Sequence, residues 1–188
     1  MHSLTAITAL GGNQAQVDVI HGLTISECPD WAIASVAARK GMEKPLATAF
    51  KKAFSIALPT PSKSNGKGSL TVFWTGPNQY FVEAPFADNE GLADRLAETL
   101  KQTACVTEQT DGWVRFDLQG AGPSDVFERL CILDTRAMEP GAVSRTSLEH
   151  TGCFIMCRAH DHFSVYGPRS TAGSIHHALV TAAKSALG

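Results

Sequence analysis

The chain has 188 residues, of which 44% are hydrophobic and 18% charged, and its formal net charge is −2. This is enough apolar material for one large domain or two small packed lobes, and it excludes a chain that is disordered throughout. A nucleic-acid partner is not expected. Such a binder needs a basic face to neutralise phosphates, whereas acidic residues outnumber basic ones here by 18 to 16.

The apolar runs are far shorter than the roughly 20 residues that a membrane-spanning helix needs. Residues 1–10 contain no Lys or Arg and no long apolar core, so we expect no membrane association and no secretory signal. The cysteines form an odd and scattered set, at Cys28, Cys105, Cys131, Cys153 and Cys157. Such a set is typical of reduced thiols rather than of a disulfide framework. We therefore expect a soluble, cytoplasmic, globular protein.

Residues 1–22 show no sustained hydrophobic period and contain a Gly11-Gly12 break, so we expect an extended arm. From Leu23 onward, alternating apolar residues predict strands, and apolar residues three and four apart predict helices. In chain order the pattern predicts strands near 23–25 and 31–35, a helix within 42–58, a loop at 59–68, a hairpin of strands 70–75 and 79–83, and a helix carrying Leu92, Leu96 and Leu100. Asp88 or Asn89 is expected to cap that last helix.

The second half of the chain shows a similar order of elements. The pattern predicts a hairpin of strands 105–108 and 113–118, a helix opening at 122–125, a meander of strands 147–150, 154–159 and 163–166, and a helix over 171–187. Residues 76–85 align with residues 159–168 at a spacing of 83. The open alternative is that any two hairpin-plus-helix units look alike. Either way we predict an α+β fold of two antiparallel lobes with helices on one face, at 23–102 and 103–188.

The richest group of zinc-type ligands lies at His150, Cys153, Cys157, His160 and His162. Thiolates and imidazoles are the ligands that zinc prefers, so this string resembles a zinc site. The spacing argues against one, because same-face neighbours on a strand lie about 7 Å apart and no Cys-x-x-Cys pair is present. Cys105 and Cys131 have no local base, so we expect structural thiols rather than nucleophiles.

Two glycine-containing loops are candidates for anion binding. Lys63–Gly68 lacks the leading glycine of a P-loop, and its two lysines are more typical of a solvated loop. Residues 120–124 precede a helix and offer an anion site at its N-terminus, although capping by Ser124 alone accounts for the pattern. The neighbours His176 and His177 point about 100° apart on a helix, so we expect one at solvent and one in a packing contact. We predict no catalytic, cofactor-binding or metal-binding residue.

A family resemblance rests on the order and spacing of several motifs. Residues 116–130, Phe-Asp-Leu-Gln-Gly-Ala-Gly-Pro-Ser-Asp-Val-Phe-Glu-Arg-Leu, resemble the strand, Gly-Pro turn and Leu-rich helix of aminomethyltransferases and related folate-binding proteins. Residues 144–165 continue the similarity. Together with 73–80 and 166–170, they make nearly the whole chain similar to the gamma subunits of heterotetrameric sarcosine oxidase.

The resemblance implies an aminomethyltransferase-like fold and a small, non-catalytic gamma subunit in a complex with alpha, beta and delta subunits. Such a complex oxidatively demethylates sarcosine to glycine, reduces O2 to hydrogen peroxide and passes the one-carbon unit to tetrahydrofolate, forming 5,10-methylenetetrahydrofolate. In the family, FAD and covalent FMN are associated with the beta subunit, NAD and folate with the alpha subunit, and zinc with the delta subunit. The resemblance therefore places none of these groups on this chain.

Two alternatives stay open. One is a stand-alone folate-binding protein or aminomethyltransferase-like regulator of one-carbon metabolism, although no Asp or Glu here lies in a motif assigned to pterin contact. The other is a non-enzymatic scaffold outside one-carbon metabolism. Under the sarcosine oxidase interpretation, we expect the aperiodic arm to pack against a larger subunit rather than on its own lobes.

Overall fold

The computed structural model describes residues 6–188 and shows the predicted α+β architecture, with two antiparallel sheets and helices. The strands are β1 Val17–Ile20, β2 Leu23–Glu27, β3 Trp31–Ala38, β4 Ser64–Lys67, β5 Leu70–Gly76, β6 Gln79–Pro85, β7 Ala104–Glu108, β8 Trp113–Gly120, β9 Val143–Leu148, β10 Thr151–Ala159 and β11 His162–Pro168. The helices are α1 Glu43–Phe54, α2 Leu92–Leu100, α3 Pro123–Leu130 and α4 Ala172–Leu187. Short 3-10 helices span Phe86–Asp88, Lys101–Thr103 and Arg169–Thr171.

The chain divides into two compact units, each built on one sheet. The six-stranded unit contains the residues up to Pro29, Gly112–Pro140 and Ser144–Gly188, and its strand order is β1-β2-β8-β11-β10-β9. Helices α3 and α4 pack together and against this sheet. The five-stranded unit contains Asp30–Asp111 and Gly141–Val143, with strand order β4-β5-β6-β3-β7 and helices α1 and α2.

One repeated order of elements builds both units. β3, α1, β4, β5, β6 and α2 correspond to β8, α3, β9, β10, β11 and α4. The 83-residue spacing holds in detail, because β6 and β11 begin and end 83 residues apart and each leads into a three-residue 3-10 helix. Tyr80 and Phe163 occupy equivalent positions, with Tyr80 opposite Val36 and Phe163 opposite Leu118. The sequence echo therefore coincides with a structural repeat.

The strand that precedes each repeat pairs in the other unit. β2 leads into β3 but pairs with β8, and β7 leads into β8 but pairs with β3. The predicted hairpin of 105–108 with 113–118 is therefore wrong, although both strands are present. The chain crosses between units after Pro29 and after Asp111, not at 102–103 as predicted. The pairing extends into the connections, since the Gln109 N–H donates to the Ile33 carbonyl at 2.8 Å.

The N-terminal segment is held by the six-stranded unit. Residues 6–16 are irregular, but the carboxylate of Glu27 on β2 accepts hydrogen bonds from the N–H groups of Leu10 at 3.0 Å and Gln16 at 3.2 Å. Residues 17–20 then form β1, which pairs with β2. The predicted arm over 1–22, packed away from its own lobes, is therefore wrong for this segment, because a buried carboxylate supplies partners for its backbone. Residues 1–5 of that predicted arm lie outside the described residues.

Three local predictions also differ from the structure. The predicted loop at 59–68 contains β4, which pairs with β5 because an available sheet edge outweighs weak strand propensity. Helix α2 has Gly91 at its N-cap, and Asn89 instead donates its side-chain amide to the Pro85 carbonyl. Helix α3 is preceded by Gly122 rather than capped by Ser124. Gly122 has a φ of +65°, and a Cβ there would lie 2.5 Å from a methyl of Leu187.

The predicted apolar stripes form the core of each unit. Leu92, Leu96 and Leu100 of α2 are buried in the five-stranded unit, and each contributes about 1.5–3 kcal/mol of burial free energy. In the six-stranded unit, alternate residues of β8 and β11 face α3 and α4. Phe163 packs edge to face on Phe127 of α3, with ring centroids 5.5 Å apart. This arrangement leaves the other set of alternate residues on the opposite face of the sheet.

Candidate functional site

A cluster of polar side chains lies on the face of the six-stranded sheet opposite to α3 and α4. Its members come from three neighbouring strands and are Arg115 and Asp117 of β8, His162, Ser164 and Tyr166 of β11, and Arg158 of β10. The register places Asp117 opposite Ser164 and Arg115 opposite Tyr166. We name these six residues the Asp117 cluster. The alternation that buries Phe116 and Leu118 on the helix side brings these polar groups together.

Asp117 is the centre of the cluster. Its carboxylate accepts hydrogen bonds from the Arg115 guanidinium at 2.7 and 2.8 Å and from the Ser164 hydroxyl at 2.7 Å. The Nε2 of His162 lies 3.1 Å from the carboxylate. Burial by itself raises the pKa of Asp117, but the contacts with His162, Arg115 and Ser164 outweigh it and hold that pKa far below its usual range. Asp117 is therefore ionised at any physiological pH.

The remaining members extend the network. The Arg158 Nε donates to the Ser164 hydroxyl at 2.9 Å, and Arg158 also donates to the Tyr166 hydroxyl. Ser164 and Tyr166 are fully buried, and Arg115 is 5% exposed. Nearby, burial and the charge of Asp117 raise the pKa of the Cys28 thiol to about 12. Cys28 is therefore protonated beside this network.

The arrangement stabilises structure rather than transferring protons. A general base works best when its pKa lies near the operating pH, whereas the pKa of Asp117 lies far below that range and the pKa of Cys28 far above it. Ser164 and His162 contact different oxygens of Asp117. In a catalytic triad, by contrast, the histidine lies between the carboxylate and the serine.

The structure disperses the residues of the zinc-type string. Cys153 and Cys157 are buried on β10, and burial raises the pKa of both thiols, that of Cys153 to about 11. His150 and His160 are exposed in turns, and His162 belongs to the Asp117 cluster. Among residues 6–188, no three His, Cys, Asp or Glu side chains are grouped to hold a metal ion.

The candidate anion loops are also accounted for within the fold. Lys63 and Lys67 flank and end the exposed strand β4. At the 120–124 loop the cation nearest to hand is Arg136, which already forms ion pairs with Asp125 and Glu128.

The histidine pair of α4 divides as predicted. The His176 Nε2 lies 2.8 Å from the Asp18 carboxylate, while His177 is exposed.

Sequence reasoning missed both the Asp117 cluster and a groove beside β9. The signal for the cluster was present, because charged residues alternate with apolar ones in Val-Arg-Phe-Asp-Leu at 114–118. The groove is lined by 130–133 and 144–147. These two segments are far apart in the predicted pattern, and only the folded chain brings them together.

Comparison with solved structures identifies the fold. A chain of heterotetrameric sarcosine oxidase from Corynebacterium sp. U-96, solved with pyrrole 2-carboxylate, superposes with a TM-score of 0.77 at 20% identity, covering 92% of this chain and 89% of that chain. Aminomethyltransferase T of the glycine cleavage system from Bartonella henselae matches with a TM-score of 0.61 at 13% identity, covering 86% of this chain and 49% of that chain.

The fold is aminomethyltransferase-like. At these identities the two likenesses show the fold and not the function. No protein-family model matches the sequence, and no curated protein is significantly similar to it. None of the helices in the described part of the chain has the length and apolar character needed to span a membrane.

Proposed function

We propose that this chain is the non-catalytic gamma subunit of a cytoplasmic heterotetrameric sarcosine oxidase. The observation that supports this most is the near-complete mutual coverage of the sarcosine oxidase match, 92% of this chain and 89% of the other. Because the alignment takes almost the same share of both, the two chains are nearly equal in length. The aminomethyltransferase match, by contrast, covers only 49% of its chain. The proposal thus favours a small subunit over a whole transferase.

The chemistry of the described residues supports a structural role. The buried carboxylate of Asp117 is engaged by three side chains, and the buried thiols are protonated at neutral pH. In this proposal, FAD, FMN, NAD, tetrahydrofolate and zinc are bound by the alpha, beta and delta subunits. The complex demethylates sarcosine to glycine, with hydrogen peroxide and 5,10-methylenetetrahydrofolate as the other products. This chain contributes fold and contact surface.

Co-expression with candidate alpha, beta and delta subunits tests the proposal. We expect the four chains to elute together from size exclusion, with flavin absorbance and sarcosine-dependent peroxide release in that fraction. The chain expressed alone should be colourless, free of stoichiometric zinc and inactive on sarcosine. Flavin or metal bound to the isolated chain, or a fully active complex that forms equally well without it, would contradict the proposal.

The second candidate is a stand-alone folate-binding regulator, which the likeness to aminomethyltransferase T favours. It predicts a chain that stays alone on size exclusion and binds tetrahydrofolate. Titration calorimetry of the isolated chain with tetrahydrofolate separates the two candidates, because the subunit proposal expects no heat of binding from this chain.

A further inference from the structure

The free edge of β9 forms one wall of a groove in the six-stranded unit. β9 ends the strand order of its sheet, with β10 as its neighbour on the other side. The groove, of about 610 Å³, is lined by the consecutive residues 144–147 and, opposite them, by 130–133. Successive side chains of a strand point to opposite faces. A groove lined by four consecutive residues therefore runs along the edge of the strand rather than over one face.

The edge itself is suited to pairing. An edge strand presents unpaired N–H and C=O groups, and proteins often protect such edges with very short strands, Lys or Pro. The corresponding edge strand of the other unit, β4, is protected in this way, since it is Ser-Asn-Gly-Lys and four residues long. β9 is Val-Ser-Arg-Thr-Ser-Leu, six residues with no Lys or Pro. Strand β9 thus keeps a longer and less protected edge.

The opposite wall carries a fully exposed apolar side chain. Ile132 is 103% exposed, the most exposed of the large hydrophobic side chains in the described residues. It lines the groove between Cys131 and Leu133. An isoleucine in this position gains burial only when another chain occupies the groove, and complete burial of such a side chain contributes about 1.5–3 kcal/mol.

The charge of the groove selects its occupant. An adjoining groove of about 720 Å³ shares Leu130 and Glu149 with the first and is lined by Arg129. Arg129 and Arg145 therefore flank one continuous surface, on which Glu149 is the acidic group. Within residues 6–188 neither guanidinium forms an ion pair, and Arg145 lies 5.9 Å from the ring centroid of Phe154. The excess positive charge favours an acidic partner.

We propose that an extended acidic segment of a partner chain adds beside β9 as a further strand of the six-stranded sheet. Main-chain hydrogen bonds to β9 hold the segment, as in other cases of strand addition. An apolar side chain of the segment packs on Ile132, and its carboxylates approach Arg129 and Arg145. This surface does not require the partner to be a sarcosine oxidase subunit, so it stands or falls separately from the proposed function.

Two peptide probes test the proposal on the full chain. The first is acetyl-(Val-Glu)4-amide with a fluorescent label, and the second replaces every Glu with Lys. We expect the acidic peptide to bind at least about tenfold more tightly by fluorescence anisotropy, which corresponds to about 1.4 kcal/mol. Hydrogen exchange should slow in residues 143–148 when the acidic peptide binds, since strand addition protects those amides.

Surface variants locate the binding. Ile132→Asp and Arg145→Glu should each weaken binding of the acidic peptide by about tenfold or more. Both side chains are exposed, so circular dichroism should be unchanged. Lys67→Glu is the matched control, because it reverses an exposed charge on the corresponding edge strand β4, and binding should be unaffected. Equal binding of the two peptides, no binding of the acidic one, no protection at 143–148, or full binding by Arg145→Glu would each overturn the proposal.

Discussion

Asp117→Asn tests the role of the Asp117 cluster, because it removes a buried negative charge and keeps the size of the side chain. Arg115 is 5% exposed and contacts the Asp117 carboxylate at 2.7 and 2.8 Å. Removing one partner of a buried ion pair costs about 3–5 kcal/mol. At about 2–4 °C of Tm per kcal/mol for a chain of this size, we expect Tm to fall by roughly 6–20 °C.

The pH dependence of this effect has a definite sign. Contacts with His162, Arg115 and Ser164 outweigh the effect of burial and hold the folded-state pKa of Asp117 below its ordinary value of 3.8. A depressed carboxyl pKa stabilises the folded state above the unfolded pKa, and that contribution is lost as the pH falls toward the folded pKa. The difference between wild type and Asp117→Asn should therefore shrink by about 1 kcal/mol between pH 7 and pH 3.

Urea unfolding at pH 7, 5 and 3 measures both quantities. Asp125→Asn is the matched control, since Asp125 pairs with Arg136 at the surface, where their side chains are 41% and 58% exposed. An exposed pair contributes under about 1 kcal/mol. If Asp117→Asn costs no more than Asp125→Asn, or if its cost is the same at pH 7 and pH 3, the account of the cluster is refuted.

Three further predictions concern the N-terminal segment, a glycine and the thiols. Glu27→Ala should cost about 1–3 kcal/mol, because it leaves buried N–H groups unpaired, and hydrogen exchange in residues 8–16 should accelerate; unchanged exchange there would contradict this. Gly120→Ala should cost more than about 2 kcal/mol, because φ is +114° and a Cβ would lie 2.3 Å from a backbone oxygen. Gly152→Ala, with open space around it, is the control in thermal melts. Iodoacetamide at pH 8 should label exposed Cys105 and spare Cys153 until urea is added, since burial raises the pKa of Cys153 to about 11; mass spectrometry that finds equal labelling would refute this.

Much of the fold follows from local periodicity. The stripe of Leu92, Leu96 and Leu100 predicts a helix with one buried face, and that face is buried. The spacing of 83 residues predicts equivalent strands and helices, and β6 and β11 match residue for residue. Such features are visible in the sequence because side chains a fixed number of residues apart share a face whatever the rest of the chain does.

The site depended more on tertiary structure. Alternation in β8 places Arg115 and Asp117 on one face, but their partners Ser164 and His162 come from a strand some 45 residues later. The Cys and His string at 150–162 is close in sequence and dispersed in space, because β10 buries its thiols while the turns expose His150 and His160. Proximity along the chain was therefore a poor guide to proximity in the site.

By itself, the sequence determined the class of each element, the apolar faces of the helices and the internal repeat, since these depend on residues within about a dozen positions of one another. Only the tertiary structure decided which strands pair. β2 and β7 have the same local appearance in the sequence whether they pair with the next strand or with the strand of the other unit. That choice depends on hydrogen bonds and packing between residues some 80 to 100 positions apart, and no local pattern encodes it.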